Sequence, residues 1–253
     1  MQPGSANPWI SRPRPNPAAA LRLLCFPYAG GGASVFRTWP AGLPADVELL
    51  AVAMPGRDAR AKEPPFDRLA PALAALTDGV APVLGAPFAI YGHSLGAMLG
   101  FQLARELRRR QLPGPLHLFV SGRRAPQLPE NWPTQHMSDP EFLAMLRRLG
   151  GIPDAVFQEA ELMAYFLPIF RADFALSETT PCVQEPPLAC PITALGGVSD
   201  ERAPLDELDA WQAQTTAAFE REVFPGGHFF LQSDRDLLLG SLSRRLARIT
   251  AAL

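Results

Sequence analysis

Residues 90–97 read IYGHSLGA, and this stretch decides the fold. An apolar run, FAIYG (88–92), leads into it and an amphipathic segment, AMLGFQLARELRRR (97–110), leads away. Gly92-His93-Ser94-Leu95-Gly96 is therefore G-x-S-x-G with a strand before it and a helix after it, the setting of a nucleophile elbow. A serine there sits on a very tight turn, where side chains at the flanking glycines would strike the neighbouring strand and helix. Its hydroxyl then points out above the sheet, near the positive end of a helix dipole that favours developing negative charge. The plainer alternative is a turn serine with no chemistry.

Further apolar runs bounded by turn residues predict buried strands on either side of this one: 21–28, 47–55, 116–122, 191–197 and 220–225. Amphipathic stretches at 69–84, 97–110, 205–215 and 234–253 predict helices between and after them. Strands alternating with helices of this length imply a mostly parallel sheet covered on both faces, an α/β class. From Arg123 to Cys190 the alternation breaks and no strand is predicted. One helix follows Asp139 as N-cap, with Pro140 at its first position, and stops at Gly150-Gly151; a second covers 161–178. This insert, about residues 125–188, leaves a strand at its C-terminal end, where α/β sheets bind ligands, so it reads as a helical lid. The alternative is a simple extension of the core. Phe142, Met145 and Phe166 are the residues expected either to line a chamber under it or to fill one. Residues 1–20 are expected to form an irregular lead-in resting on the body through Trp9 and Ile10, and 21–253 a single domain.

A serine hydroxyl is a poor nucleophile until a base takes its proton, and the chain has four histidines. His93 belongs to the elbow and faces away from its neighbour's hydroxyl. His117 falls inside a strand, as a core histidine would, and His136 lies in a Pro-rich polar part of the insert. His228, in FPGGHFF, follows the last strand and two glycines that let the loop curl over the sheet; it is the expected base. The acid belongs between Ser94 and His228, on a loop after a strand. Asp200 stands three residues beyond Gly196-Gly197, ahead of Asp173 in an insert helix and of Asp206 and Asp209 on the next helix. Its other use would be as a cap for a helix near Ala203. Two backbone donors are needed for the oxyanion: the Leu95 N–H, and the Ala29 N–H in the loop Tyr28-Ala29-Gly30-Gly31-Gly32-Ala33. Those glycines do not suit a phosphate loop, because no GK[ST] follows and a dinucleotide fingerprint is spaced differently.

Composition narrows the partners. The 253 residues suit one core, and Lys+Arg 23 against Asp+Glu 25 leave a net charge of −2, against a general nucleic-acid binder. No apolar run is long enough to span a membrane, and the N-terminus lacks a signal-peptide core. Cys25, Cys182 and Cys190 are too few for a disulfide framework and have no metal-ligand spacing. A soluble, cytoplasmic protein without a metal is expected.

FPYAGGGAS (26–34), AMPGRDAR (53–60), YGHSLGA (91–97), SGRRAP (121–126), FRADF (170–174) and PGGHFF (225–230) together resemble the type II thioesterases of polyketide and nonribosomal peptide pathways. The resemblance runs from about residue 20 to about residue 240. It implies an α/β-hydrolase fold with Ser94, Asp200 and His228 as triad, Ala29 and Leu95 as oxyanion donors, and the insert as a mobile lid. It further implies hydrolysis of misprimed acyl groups from the phosphopantetheine arm of acyl or peptidyl carrier proteins, with no cofactor beyond the arm the substrate brings; the oligomeric state is left open by the sequence, with a monomer as the default expectation. Carrier proteins are usually acidic, so Arg123, Arg124, Arg147 and Arg148 are candidate docking residues. Arg105, Arg108, Arg109 and Arg110 have a simpler use as cations in a helix's last turn. A lipase or carboxylesterase, an acyltransferase or cyclising chain-release domain, and a non-catalytic carrier-binding module are the competing readings.

Overall fold

In the computed structural model, which describes residues 7–128, 133–180 and 183–253, the apolar runs are strands, and all but the last have both faces buried. Seven strands form one sheet: β1 (Ile10–Ser11), β2 (Leu21–Phe26), β3 (Val47–Val52), β4 (Phe88–His93), β5 (Leu118–Ser121), β6 (Ile192–Gly197) and β7 (Phe219–Phe224). Side chains alternate between two cores with the period of two that a strand imposes. Leu24 and Phe26 of β2 join Phe88 and Ile90 of β4 on one face. Leu23, Cys25, Ala89 and Tyr91 lie on the other.

The strand order is β1-β3-β2-β4-β5-β6-β7, with β1 antiparallel to β3 and every other pairing parallel. Helices α1 (Leu69–Val80) and α2 (Leu95–Arg109) cover one face, together with α6 (Leu205–Asp209) and Trp211. The other face is covered by Phe36, Trp39, α7 (Phe230–Ser233) and α8 (Arg235–Thr250). Between β5 and β6 the chain forms α3 (Asp139–Leu149), α4 (Asp154–Gln158) and α5 (Ala160–Glu178), which share a smaller apolar cluster of their own. This is the α/β-hydrolase arrangement, a mostly parallel sheet with a helical insertion at its C-terminal edge.

Four local expectations change. The lead-in is not wholly irregular: Ile10 and Ser11 pair with Val52 and Ala51, and Trp9 is buried beneath the Arg60 guanidinium, 4.0 Å from its ring. β7 is an edge strand and half exposed; its Glu220 and Glu222 pair with Arg245 of α8. Residues 205–215 split into α6 and a 3-10 turn, Ala210–Gln214. The cap of α3 is Ser138, which forms a capping box with Glu141 and moves Asp139 to the first helical position. Cys25 and Cys190 are free thiols, and Cys182 lies outside the described residues.

Candidate active site

The register of the parallel strands gathers the candidate residues at one edge. Phe26 pairs with Gly92, His93 with Ser121, Ser121 with Leu195, and Gly197 with Phe224, so the loops after β2, β4, β6 and β7 leave the sheet side by side. Ser94 occupies the elbow at φ 54 and ψ −113, a conformation L-residues rarely adopt. The flanking glycines are dictated by contact: a Cβ on Gly92 would lie 2.1 Å from the Gly96 carbonyl oxygen, and one on Gly96 2.2 Å from that of Phe26. Strain of this kind costs about 1–3 kcal/mol. Ser94→Gly should therefore be more stable to urea than Ser94→Ala by about 1 kcal/mol, both being inactive. Equal stability would show that the elbow stores no strain.

The structure brings Ser94, His228 and Asp200 together. His228 Nε2 stands 3.1 Å from Ser94 Oγ, and His228 Nδ1 lies 2.9 and 3.0 Å from the two Asp200 oxygens. Asp200 Oδ1 also accepts the Arg202 and Ala203 amides at 2.9 and 3.3 Å. The capping alternative is thus realised alongside the pairing, as a turn that holds the carboxylate in aim. Burial pushes the Asp200 carboxyl up, but the hydrogen bond from His228 and its charge outweigh this and hold it below the ordinary value. Asp200 is accordingly a carboxylate that orients the imidazole. The rivals lie elsewhere: Asp206 and Asp209 are exposed, and Asp173 is buried beside Arg57.

The other histidines are placed differently. His93 is buried, with Nδ1 2.9 Å from Ser121 Oγ and its ring 5.1 Å from that of His228. His117 falls just before β5 rather than within it, half-buried, with Nε2 2.8 Å from Thr193 Oγ1 and its ring stacked on Phe119. His136 is exposed. Burial, aided by the adjacent His228, lowers the His93 pKa to about 3, and burial lowers that of His117 to about 4, against 6.5 for a free imidazole. Both groups are neutral in the fold, and the unfolded chain takes up their protons first. Their contribution to stability is complete above pH 6.5 and is lost on acidification through the window down to about 4 and 3. Each should cost about 1.4 kcal/mol per pH unit. Urea denaturation between about pH 7 and 5 should show this slope, and His117→Gln should remove about half of it; an unaltered slope would refute the assignment.

A cavity of about 30 Å³ opens at Ser94 and His228, lined by Ala29 and Leu95 and roofed by Leu146 and Leu149 of α3 and Phe170 and Phe174 of α5. Ala29 and Leu95 thus both border the cavity that holds Ser94. Arg123, Ser177, Arg202, Ile152 and Phe229 are also in the lining, and of these the sequence points to Arg123 alone, as a docking residue. Two larger hollows flank this chamber. One, about 220 Å³, lies against Asp200, His228, Met145 and Arg148; the other, about 320 Å³, lies between the glycine loop and Phe166. Phe142 takes the filling alternative: it is buried in the insert's own core against Phe174 and under Arg171, and does not line the Ser94 cavity.

Among the expected docking arginines, Arg124 pairs with Glu207 at 2.5 Å and Arg123 donates to Ser177 at 2.7 Å, so both are directed inward. Arg147 and Arg148 are exposed on α3, Arg147 above the Phe157 ring and 3.9 Å from Asp154. Arg105 and Arg108 bind Glu185, and Arg109 and Arg110 bind Glu106. Among the described residues no cluster of metal-binding side chains occurs, and no helix is long and apolar enough to cross a membrane.

A serine–histidine–carboxylate array at the C-terminal edge of this sheet, its histidine and carboxylate buried and its serine half-buried, defines a serine hydrolase of the α/β-hydrolase class. Residues 21–246 match the thioesterase domain family, and the chain belongs to it. The gramicidin S biosynthesis protein GrsT of Aneurinibacillus migulanus is 39% identical over 246 residues, 97% of this chain and 96% of that protein. RedJ, a thioesterase from the prodiginine pathway in Streptomyces coelicolor, superposes with a TM-score of 0.84 at 41% identity, covering 90% of this chain and 86% of its own. The type II thioesterase BorB from the borrelidin biosynthetic cluster superposes with a TM-score of 0.82 at 37% identity, over 97% of this chain and all of its own (100%).

Proposed function

We propose that this protein is a type II editing thioesterase, which hydrolyses stalled or misprimed acyl groups from the phosphopantetheine arm of carrier proteins in a polyketide or nonribosomal peptide synthase. The observation that carries the reading is the His228 imidazole, 3.1 Å from Ser94 Oγ and 2.9 Å from Asp200, beneath an apolar insert. The similarity to GrsT, RedJ and BorB supports the substrate class.

Ser94 Oγ attacks the thioester carbonyl as His228 Nε2 takes its proton, and Asp200 stabilises the imidazolium. The amides of Ala29 and Leu95 hold the tetrahedral oxyanion. Collapse breaks the C–S bond, and His228 returns the proton to the departing pantetheine sulfur, leaving an acyl-Ser94 ester. Water, deprotonated by His228, attacks that ester; the acid is released and Ser94 regains its proton. These steps use only side chains and amides of this chain, and no cofactor or metal is assigned a part in them. The proposed setting is the cytoplasm, alongside the synthase, with the insert acting as a lid.

A panel of acyl-carrier thioesters, measured beside p-nitrophenyl esters of the same acyl groups, tests the proposal. The carrier thioesters are expected to give the higher kcat/KM; preference for the oxygen esters would favour the carboxylesterase reading. Arg147 and Arg148 supply the exposed positive charge proposed to meet an acidic carrier. Arg147→Glu/Arg148→Glu should lower kcat/KM about tenfold or more on carrier-bound substrate, with little effect on acyl-N-acetylcysteamine. Equal losses on both would sink the docking role.

A further inference from the structure

We propose that the buried Arg57–Asp173 pair is a positioning device for the oxyanion loop, so that seating α5 against the sheet completes the oxyanion hole. Three elements distant in sequence meet at it. Arg57 Nη1 and Nη2 donate to the two Asp173 oxygens at 2.6 and 2.8 Å, a two-pronged pair with both side chains nearly out of solvent. The same Asp173 accepts the Gly30 amide at 2.7 Å, and the same guanidinium donates to the Gly31 carbonyl at 3.2 Å. One turn earlier on α5, Phe170 packs against Gly30 so closely that a Cβ there would lie 1.9 Å from its ring. The i, i+3 spacing of Phe170 and Asp173 puts both on one helix face, and Gly30 lies against that face.

The consequence for Ala29 follows from the turn it belongs to. Gly31 N donates to the Tyr28 carbonyl at 2.9 Å and Gly30 has φ +77, so residues 28–31 have the hydrogen bond and the positive third φ of a type II turn. In that turn the orientation of the 29–30 peptide distinguishes type II from type I, and Asp173 grips its N–H. With the Gly30 and Gly31 amides engaged by Asp173 and Tyr28, the amide of Ala29, which lines the Ser94 cavity, is the one the turn presents to the chamber. Arg57 has a second effect. A lone carboxylate one residue from that donor would oppose the negative charge developing on the substrate oxygen, and the guanidinium cancels it. Stability alone is a poor explanation, since buried ion pairs are commonly replaced by apolar residues without loss.

The inference rests on the acyl-transfer reading of Ser94 and is tested with an acyl-N-acetylcysteamine thioester. Asp173→Ala should lower kcat about 100-fold, the scale of a lost oxyanion donor, with KM changed less than about threefold. Affinity for a trifluoromethyl ketone acyl analogue, which forms a tetrahedral adduct with Ser94, should fall in step with kcat. Asp173→Asn, which keeps an acceptor for the Gly30 amide, should recover part of the loss. Arg57→Met/Asp173→Leu separates positioning from folding: it should melt near the wild-type temperature and remain about 100-fold slow. A folded Asp173→Ala or double variant with kcat within about threefold of wild type overturns the proposal, as does failure of both to fold, which would assign the pair to stability. Wild-type protein inactive on thioesters and esters alike would instead overturn the reading of Ser94.

Discussion

Ser94→Ala is expected to lower kcat by about a million-fold, the largest effect of any single substitution in this chain. Among the groups that line the chamber, Ser94 Oγ is the one within hydrogen-bond reach of His228, at 3.1 Å. Without it His228 has no oxygen to activate except that of water, and the acyl-enzyme route closes. The oxyanion amides remain, so a residual rate of about 10³–10⁴ over uncatalysed hydrolysis should survive. Alanine preserves the backbone torsions of the elbow, and the melting temperature should change little. Steady-state kinetics on a carrier-bound acyl thioester, with mass spectrometry of trapped acyl-enzyme, checks this. Full hydrolysis by Ser94→Ala would show that Ser94 is not the nucleophile and leave the elbow as an ordinary turn, whereas a non-catalytic carrier-binding module would show no hydrolysis by the wild type.

Asp200→Asn should cost about 10⁴ in kcat with nearly unchanged geometry. The asparagine oxygen can still accept the Arg202 and Ala203 amides that Asp200 Oδ1 accepts now at 2.9 and 3.3 Å, so the turn should hold. That leaves the amide NH₂ facing His228 Nδ1. Two donors cannot share that contact, so the imidazole adopts the tautomer with its proton on Nε2 and offers a donor to Ser94 instead of a lone pair. The loss should fall on kcat and not on KM, because the acyl chamber is untouched. Asp200→Glu, which keeps the charge and moves it by one methylene, should be less damaging than Asp200→Asn if the tautomer is the cause. A milder effect from asparagine than from glutamate would show that distance, and not protonation, dominates.

The elbow was legible because its constraints fall on two residues that flank one serine, although the atom that excludes a side chain at Gly96 belongs to Phe26 on the neighbouring strand. Gly92 and Gly96 are demanded by carbonyl oxygens within reach of a missing Cβ, and such a demand leaves the same two residues in the sequence wherever the turn recurs. His228 and Asp200 were found by elimination and chain order, which works because each follows a strand that ends at the same edge. The insert was less readable. Phe142 and Phe170 are both large and apolar on helices, yet Phe142 fills the insert's own core while Phe170 faces the chamber. Periodicity assigns a buried face but cannot say what lies across from it. In the sequence Asp173 reads only as a competing acid in an insert helix, because its partners, Arg57 and the Gly30 amide, stand 116 and 143 residues away.

By itself, then, the sequence determined the alternation of strands and helices, the elbow, and the Ser94, Asp200, His228 order. Each of these is imposed by short-range sterics or by which residue types can carry a proton. Tertiary structure decided which arginines face solvent, which insert side chains roof Ser94, and that the oxyanion loop is gripped by α5. Those outcomes depend on the register of parallel strands and on how one helix docks across the sheet edge. They arise between residues tens of positions apart or more, up to the 143 that separate Gly30 from Asp173, where no local pattern in the chain can record them.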